Sequence, residues 1–198
     1  MSIPRAVLFD AYGTLCEIHE RHNPYKPILK AWSLGLAAAY QSIMTRDATP
    51  AEFAKEAGLS EQIAQKINAD ISAEIASMCL FPEVPETLAR LKKSGLKWGI
   101  ISNLAAPYAQ PLLDLLPITP DACIWSFAVG YRKPEKGIYD CACTALGHTP
   151  TDILIVGDSY ENDFNTPRQL GMQAKFLSRE ATQVRHPDQI DDLSFLIP

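Results

Sequence analysis

A chain of 198 residues with 47% apolar and 21% charged content can bury a sizeable core, as one domain with an insertion or as two small ones. Its net charge of −5, its pI near 5.4 and its lack of any basic run argue against nucleic acid as the main partner. The apolar runs are too short to span a membrane, and the N-terminus has no apolar stretch behind positive charge. The expectation is a soluble cytoplasmic protein, monomer or homodimer.

In chain order, "AVLF" at Ala6–Phe9 reads as a short, fully buried strand that Gly13-Thr14 breaks. From about Pro24 to Ala76 the apolar spacing turns helical, and about three helices are expected there. "DATP" punctuates this stretch, with Thr49 placed to cap and Pro50 suited to a first turn. Ser60 opens the last of these helices, and Ile63, Ile67, Ile71 and Ile75 at spacing four make one apolar face. Alternation follows. "PEVPETLARLKKSG" is a helix ending at Gly95, "KWGIISN" a strand, "YAQPLLDLL" a helix, and "ACIWSFAVG" holds a strand. "EKGIYDCACTALG" is a helix ending at Gly147, "DILIVGD" a strand, "ENDFNTPRQLG" a helix with an irregular start because of Pro167, and "QAKFLS" a last strand. "RHPDQIDDL" reads as a loop and short helix. Strands alternating with helices predict an α/β fold with a doubly wound parallel sheet, the helical segment being inserted after the first strand.

The remaining candidates are expected to be structural. Cys16, Cys79, Cys123, Cys141 and Cys143 show no C-x-x-C spacing, which argues against a zinc site or a disulfide framework and suggests core thiols. Glu17, His19, Glu20 and His22 hint at a metal site, but their loose polar spacing reads as a solvated linker. His148 and His186 read as surface residues, and Trp32, Trp98 and Trp125 as core or interface aromatics.

In an open parallel sheet, ligands bind beyond the carboxyl ends of the strands. Asp10 and Thr14 follow the first predicted strand, Ser102 and Asn103 the second, Arg132 and Lys133 the third, and Asp158 and Asp163 the fourth. A polar group at every one of these ends predicts one shared cleft. Three carboxylates against one lysine leave that cleft negative, and a divalent cation would neutralise it and keep Asp10 ionised. Carboxylates, a backbone carbonyl and water suit Mg²⁺.

"FDAYGTL", "IISN", "GYRKPEKGIY" and "ILIVGDSYEND", in this order, resemble the four motifs of the haloacid dehalogenase (HAD)-like hydrolase superfamily. The resemblance covers nearly the whole chain. It implies a Rossmann-like core from residues 1–15 and 80–198, with a small helical cap from residues 16–79. It further implies Asp10 as nucleophile, with Thr14 and Ser102 donating hydrogen bonds to the transferred group. Backbone N–H groups at Tyr12 and Gly13 would help bind substrate, as would Ser102, Asn103 and Arg132, and Lys133 would balance charge. Asp10, the Tyr12 carbonyl and Asp158 would hold the metal, with Asp163 behind them.

Tyr12 stands where family phosphatases usually carry a second Asp as general acid and base. With an ordinary pKa near 10 it is a poor proton shuttle at neutral pH. "DAYGTL" is how the family's dehalogenases read, and Tyr139 also resembles their pattern. Those enzymes need no metal, lack the aspartate kept here as Asp158, and hold the substrate carboxylate with a cap arginine. Here Lys26 and Lys30 lie in the corresponding stretch, flanked by Arg21 and Arg46. The acidic pair favours a Mg²⁺-dependent phosphohydrolase working through an aspartyl-phosphate. A 2-haloacid dehalogenase and a weakly active or non-enzymatic HAD protein remain the alternatives.

Overall fold

A computed structural model describes residues 3–179 and 187–196. Strands β1 (Ala6–Phe9), β4 (Lys97–Ser102), β5 (Ala122–Trp125), β6 (Ile153–Gly157), β7 (Gln173–Leu177) and β8 (Gln189–Ile190) form one sheet in the order β5-β4-β1-β6-β7-β8. Every neighbouring pair in it is parallel. Counted within this sheet alone, the order is 3-2-1-4-5-6, the doubly wound Rossmann arrangement, and the winding reverses between β1 and β6.

The central strands β1, β4 and β6 are buried on both faces, and the pleat decides which residue goes where. In β1, Val7 and Phe9 join one core with Trp98, Ile100, Leu154 and Val156. Ala6 and Leu8 join the other, with Ile101, Ile153 and Ile155. On the first face Phe9 meets Trp98 edge-on, with ring centroids 6.3 Å apart. There helix α5 (Val84–Ser94) adds Val84, Leu88 and Leu91 and stops at Gly95, whose φ of 73° provides the left-handed terminator expected of it. On the second face α8 (Lys136–Leu146) adds Ile138, Tyr139, Ala142 and Leu146.

The helical insertion holds four helices: α1 (Lys26–Ala31), α2 (Leu36–Thr45), α3 (Pro50–Glu56) and α4 (Glu61–Ala76). The extra break falls at "WSLG". Trp32 turns extended after α1, and Gly35 at φ 88° lets α2 begin on a new axis. Thr49 caps α3 in a reciprocal box with Glu52. Two strands flank the insertion, β2 (Cys16–Ile18) and β3 (Met78–Leu80), paired antiparallel. They replace the expected linker at Glu17. Each has three residues and its partner lies some sixty positions away, so no local pattern marks it.

Between β5 and α8 the chain makes a short helix, α7 (Ser126–Val129), and α6 (Ala109–Leu115) precedes β5. After β6, one wide helical turn (Tyr160–Asn165) leads into α9 (Thr166–Gln169), the irregular start that Pro167 predicts. Where "RHPDQIDDL" is described it forms β8, and the short helix expected there follows directly, as one 3-10 turn at Ser194–Leu196. His186 lies outside the described residues, and His148 is half-buried. Of the cysteines, Cys16 is buried, but Cys79, Cys141 and Cys143 are half-buried and Cys123 is exposed, so the core-thiol expectation holds for Cys16 alone. Trp98 and Trp125 are core residues, and Trp32 packs against Phe53 within the insertion. Among the described residues no helix is long and apolar enough to cross a membrane.

Candidate active site

The reversal between β1 and β6 brings Asp10 and Asp158 to one place, each the first residue after its strand. Asp163 enters from the turn after β6. Oxygens of these three carboxylates lie within 4.8 Å of one another. The chain is built around this crowding at two glycines. A side chain at Gly13, whose φ is 84°, would collide with the Asp158 carboxylate, and one at Gly157 would collide with that of Asp163.

Lys133 comes from the loop after α7 and is 2% exposed. Its Nζ donates to Asp10 Oδ1 at 2.7 Å and to Asp163 Oδ1 at 2.6 Å. Burial by itself would lower the lysine pKa, but the Asp10 and Asp163 charges outweigh it, and the net shift is upward. Lys133 therefore stays a cation. Burial raises Asp163, only partly offset by Lys133, and holds it at about 6. Partial burial of the Asp158 carboxyl, then the Asp10 charge, raise Asp158 as well, although the residue keeps an exposed surface. Such upward shifts mark a site short of positive charge.

Ser102, at the end of β4, donates to Asp10 Oδ1 at 3.1 Å. Asn103 grips the lysine loop from both sides: its Nδ2 donates to the Lys133 carbonyl (2.8 Å), and its Oδ1 accepts from the Lys133 amide (2.6 Å). Thr14 is fully buried, and its hydroxyl has no hydrogen-bond partner among the described residues. The Gly13 amide donates to the Cys16 carbonyl at 2.8 Å, so the turn itself uses this N–H. The guanidinium of Arg132 is engaged by Gln41 of α2 and lies over the Tyr40 ring, which joins the lysine loop to the insertion.

Tyr12 turns toward the insertion. Its hydroxyl reaches the Met78 sulfur at 3.6 Å, its ring meets Tyr108 edge-on, and burial raises its pKa further above the ordinary phenol value. It lines a cavity of about 570 Å³ that also takes in Asn103, Tyr25, Leu29, Met44 and Tyr108.

Two site-building residues carry no clear local sequence signal. Arg179, just past β7, donates to the carbonyls of Gly13 (3.2 Å) and Thr14 (2.7 Å), pairs with Glu83 and covers the Phe81 ring, so it ties down the turn that follows Asp10. Glu74 of α4 is buried and accepts from the amides of His22 (2.7 Å) and Asn23 (2.9 Å) and from the Tyr108 hydroxyl. Its one sequence trace is an acid three residues after Ile71 on an otherwise apolar face.

A family model described as haloacid dehalogenase-like hydrolase matches residues 4–171. A phosphoglycolate phosphatase of Salmonella paratyphi A is 34% identical over 127 residues, which are 60% of this chain and 50% of that protein. The chain thus spans about half the length of the curated relatives it matches. A predicted phosphoglycolate phosphatase from Haemophilus somnus 129PT superposes with a TM-score of 0.69 at 21% identity, over 99% of this chain and 97% of the other. The L-2-haloacid dehalogenase of Xanthobacter autotrophicus with chloropropionic acid covalently bound gives 0.66 at 22%, over 98% and 97%. At such identities the two structures speak to the fold alone, and they lie on both sides of the phosphatase–dehalogenase divide. The match over residues 4–171, on a sheet of this order with carboxylates at its reversal point, shows that this chain belongs to the haloacid dehalogenase-like hydrolases.

Proposed function

We propose that the chain is a Mg²⁺-dependent hydrolase of a phosphorylated small molecule, with Asp10 as nucleophile. The observation that carries this reading is the convergence of Asp10, Asp158 and Asp163 with one buried cation among the described residues, Lys133, between them. The donor set is all oxygen, and the cradle is kept open by glycine, which fits a hard divalent ion. Asp10, Asp158 and the Tyr12 carbonyl would hold the ion, with Asp163 behind them. When bound, it supplies the charge neutralisation that lets a carboxylate approach a phosphoryl group.

The protein's own groups do the rest. Asp10 attacks phosphorus, the bond to the leaving oxygen breaks, and an aspartyl-phosphate forms that water then cleaves. Lys133 holds Asp10 in place and faces the transferred group with positive charge. Ser102 steadies the carboxylate. The buried Thr14 hydroxyl gains a partner when a phosphoryl oxygen arrives, which removes a cost of about 1–3 kcal/mol. The cavity beside Tyr12 takes the rest of the substrate, with residues 16–79 acting as the cap that closes over it. Free thiols throughout suit a reducing, cytoplasmic setting.

Tyr12 does not move protons in this scheme, so the leaving group takes its proton from water. Tyr12→Phe is therefore expected to keep kcat on p-nitrophenyl phosphate far above the ~10²–10⁴-fold loss that follows removal of a general acid. Gly13→Ala pushes on Asp158 and is expected to lower kcat/KM about 10²-fold, as a misplacement of roughly 1 Å does. A Mg²⁺ titration of its activity checks this.

The contacts of two residues weigh against haloacid chemistry. Arg46 is spent on Glu56 (2.7 Å) and the Phe53 ring, and the Tyr139 hydroxyl donates to the Asn162 carbonyl (2.6 Å). The deciding experiment compares phosphate release from phosphorylated metabolites, phosphoglycolate first, with halide release from 2-chloropropionate, each with Mg²⁺ and with EDTA. Phosphate release only with Mg²⁺ supports the proposal. Halide release in EDTA sinks it.

A further inference from the structure

We propose a second metal site, separate from the carboxylate cluster, formed by Glu17, His19 and Cys79 and suited to a borderline-soft divalent cation of the zinc class. The three residues stand on the antiparallel ribbon β2–β3, through which the chain leaves the core for the insertion and returns. Glu17 and Cys79 are register partners across the ribbon, and His19 lies two residues beyond Glu17, which puts it on the same face. The His19 amide reaches the Ser77 carbonyl at 3.5 Å, and the Ser77 hydroxyl bonds the Glu20 amide at 3.0 Å, so the pairing continues past the strand end.

The donor atoms are already gathered. His19 Nε2 lies 3.1 Å from Cys79 Sγ and 3.7 Å from Glu17 Oε1, and one ligand atom from each residue falls within 4.8 Å of the others. Zinc bonds of ~2.0–2.3 Å in a tetrahedron separate donors by roughly 3.3–3.6 Å. A small adjustment of three side chains meets that spacing. His19 is 60% and Glu17 40% exposed, so the site is open and water completes the coordination. The chemistry also separates the two sites. Thiolate and imidazole select zinc-class ions over Mg²⁺, whereas the Asp10 cluster offers only hard oxygen. Binding releases the Cys79 proton to solvent and fastens β2 to β3 at the base of the insertion.

The test uses Co²⁺ as a spectroscopic probe of the whole 198-residue chain, with excess Mg²⁺ present. Wild type is expected to show a near-ultraviolet thiolate-to-cobalt charge-transfer band that Zn²⁺ abolishes by displacement. Cys79→Ser should lose the band. His19→Ala, which changes an exposed side chain, should weaken Co²⁺ binding at least about tenfold. Asp10→Asn should keep the band, so this result stands or falls apart from the phosphohydrolase reading. A wild type without the band, or a band that survives both Cys79→Ser and His19→Ala, overturns the proposal and leaves the cluster as a histidine–thiol hydrogen bond only.

Discussion

Asp10→Asn is expected to abolish turnover, by a factor on the order of 10⁶ if it behaves as nucleophile removal does elsewhere, while the protein stays folded. The amide is nearly the size of the carboxylate and still offers an oxygen to Ser102 and Lys133, which reach Asp10 Oδ1 at 3.1 and 2.7 Å. What disappears is the negative oxygen that, in the proposed mechanism, would attack phosphorus. Lys133 keeps Asp163 as a charged partner at 2.6 Å, so the buried ammonium is not stranded. Steady-state kinetics with p-nitrophenyl phosphate, alongside a thermal melt, checks both halves. A variant that keeps even a tenth of wild-type turnover would mean that another group strikes the substrate.

Lys133→Met should act the other way, costing stability as well as activity. It retains most of the side-chain volume but leaves two buried carboxylates without their cation. Breaking a buried pair from one side costs about 3–5 kcal/mol. For a chain of this size that is a fall in Tm of roughly 6–20 °C. The loss should depend on pH, with a definite sign. Asp163 already sits at about 6 in the folded protein, above the ordinary ~3.9 of an unfolded aspartate. Without Lys133 its folded pKa rises further. A folded state that holds a proton more tightly than the unfolded one is most stable at low pH, and that stability is lost as pH rises through the folded pKa. Melts in EDTA should therefore show the variant closest to wild type near pH 5 and furthest from it near pH 8. Adding Asp163→Asn should recover part of the loss, since it removes one of the stranded charges.

Sheet and site differ in how far they could be read ahead of the structure. The strands "AVLF", "GIIS" and "ILIVG" announce themselves because burial on both faces demands unbroken apolar runs, and the polar residue that ends each run marks the cleft. Asp10, Ser102, Lys133, Asp158 and Asp163 were legible for that reason, each standing at or just beyond a strand end or in a loop fed by one. What escaped depends on partners distant in the chain. The β2–β3 ribbon pairs Glu17 with Cys79, and three residues of alternation are too few to show in a window. Arg179 reaches back 165 positions to Thr14 from a segment that reads as ordinary loop. Glu74 looks like a polar interruption of the Ile67–Ile71 face until His22, Asn23 and Tyr108 are seen bonded to it. Residue type misleads for the thiols: it favours burial, but Cys123 lies on the edge strand β5 and is exposed.

The most direct measurement is chemical trapping of the intermediate. The protein is mixed with phosphorylated substrate, with Mg²⁺ or with EDTA, quenched in acid, reduced with borohydride and mapped by peptide mass spectrometry. Reductive conversion at Asp10 that requires both substrate and Mg²⁺ is the predicted result. Turnover with no modification at Asp10, or modification at Asp10 that proceeds equally well in EDTA, would contradict the account.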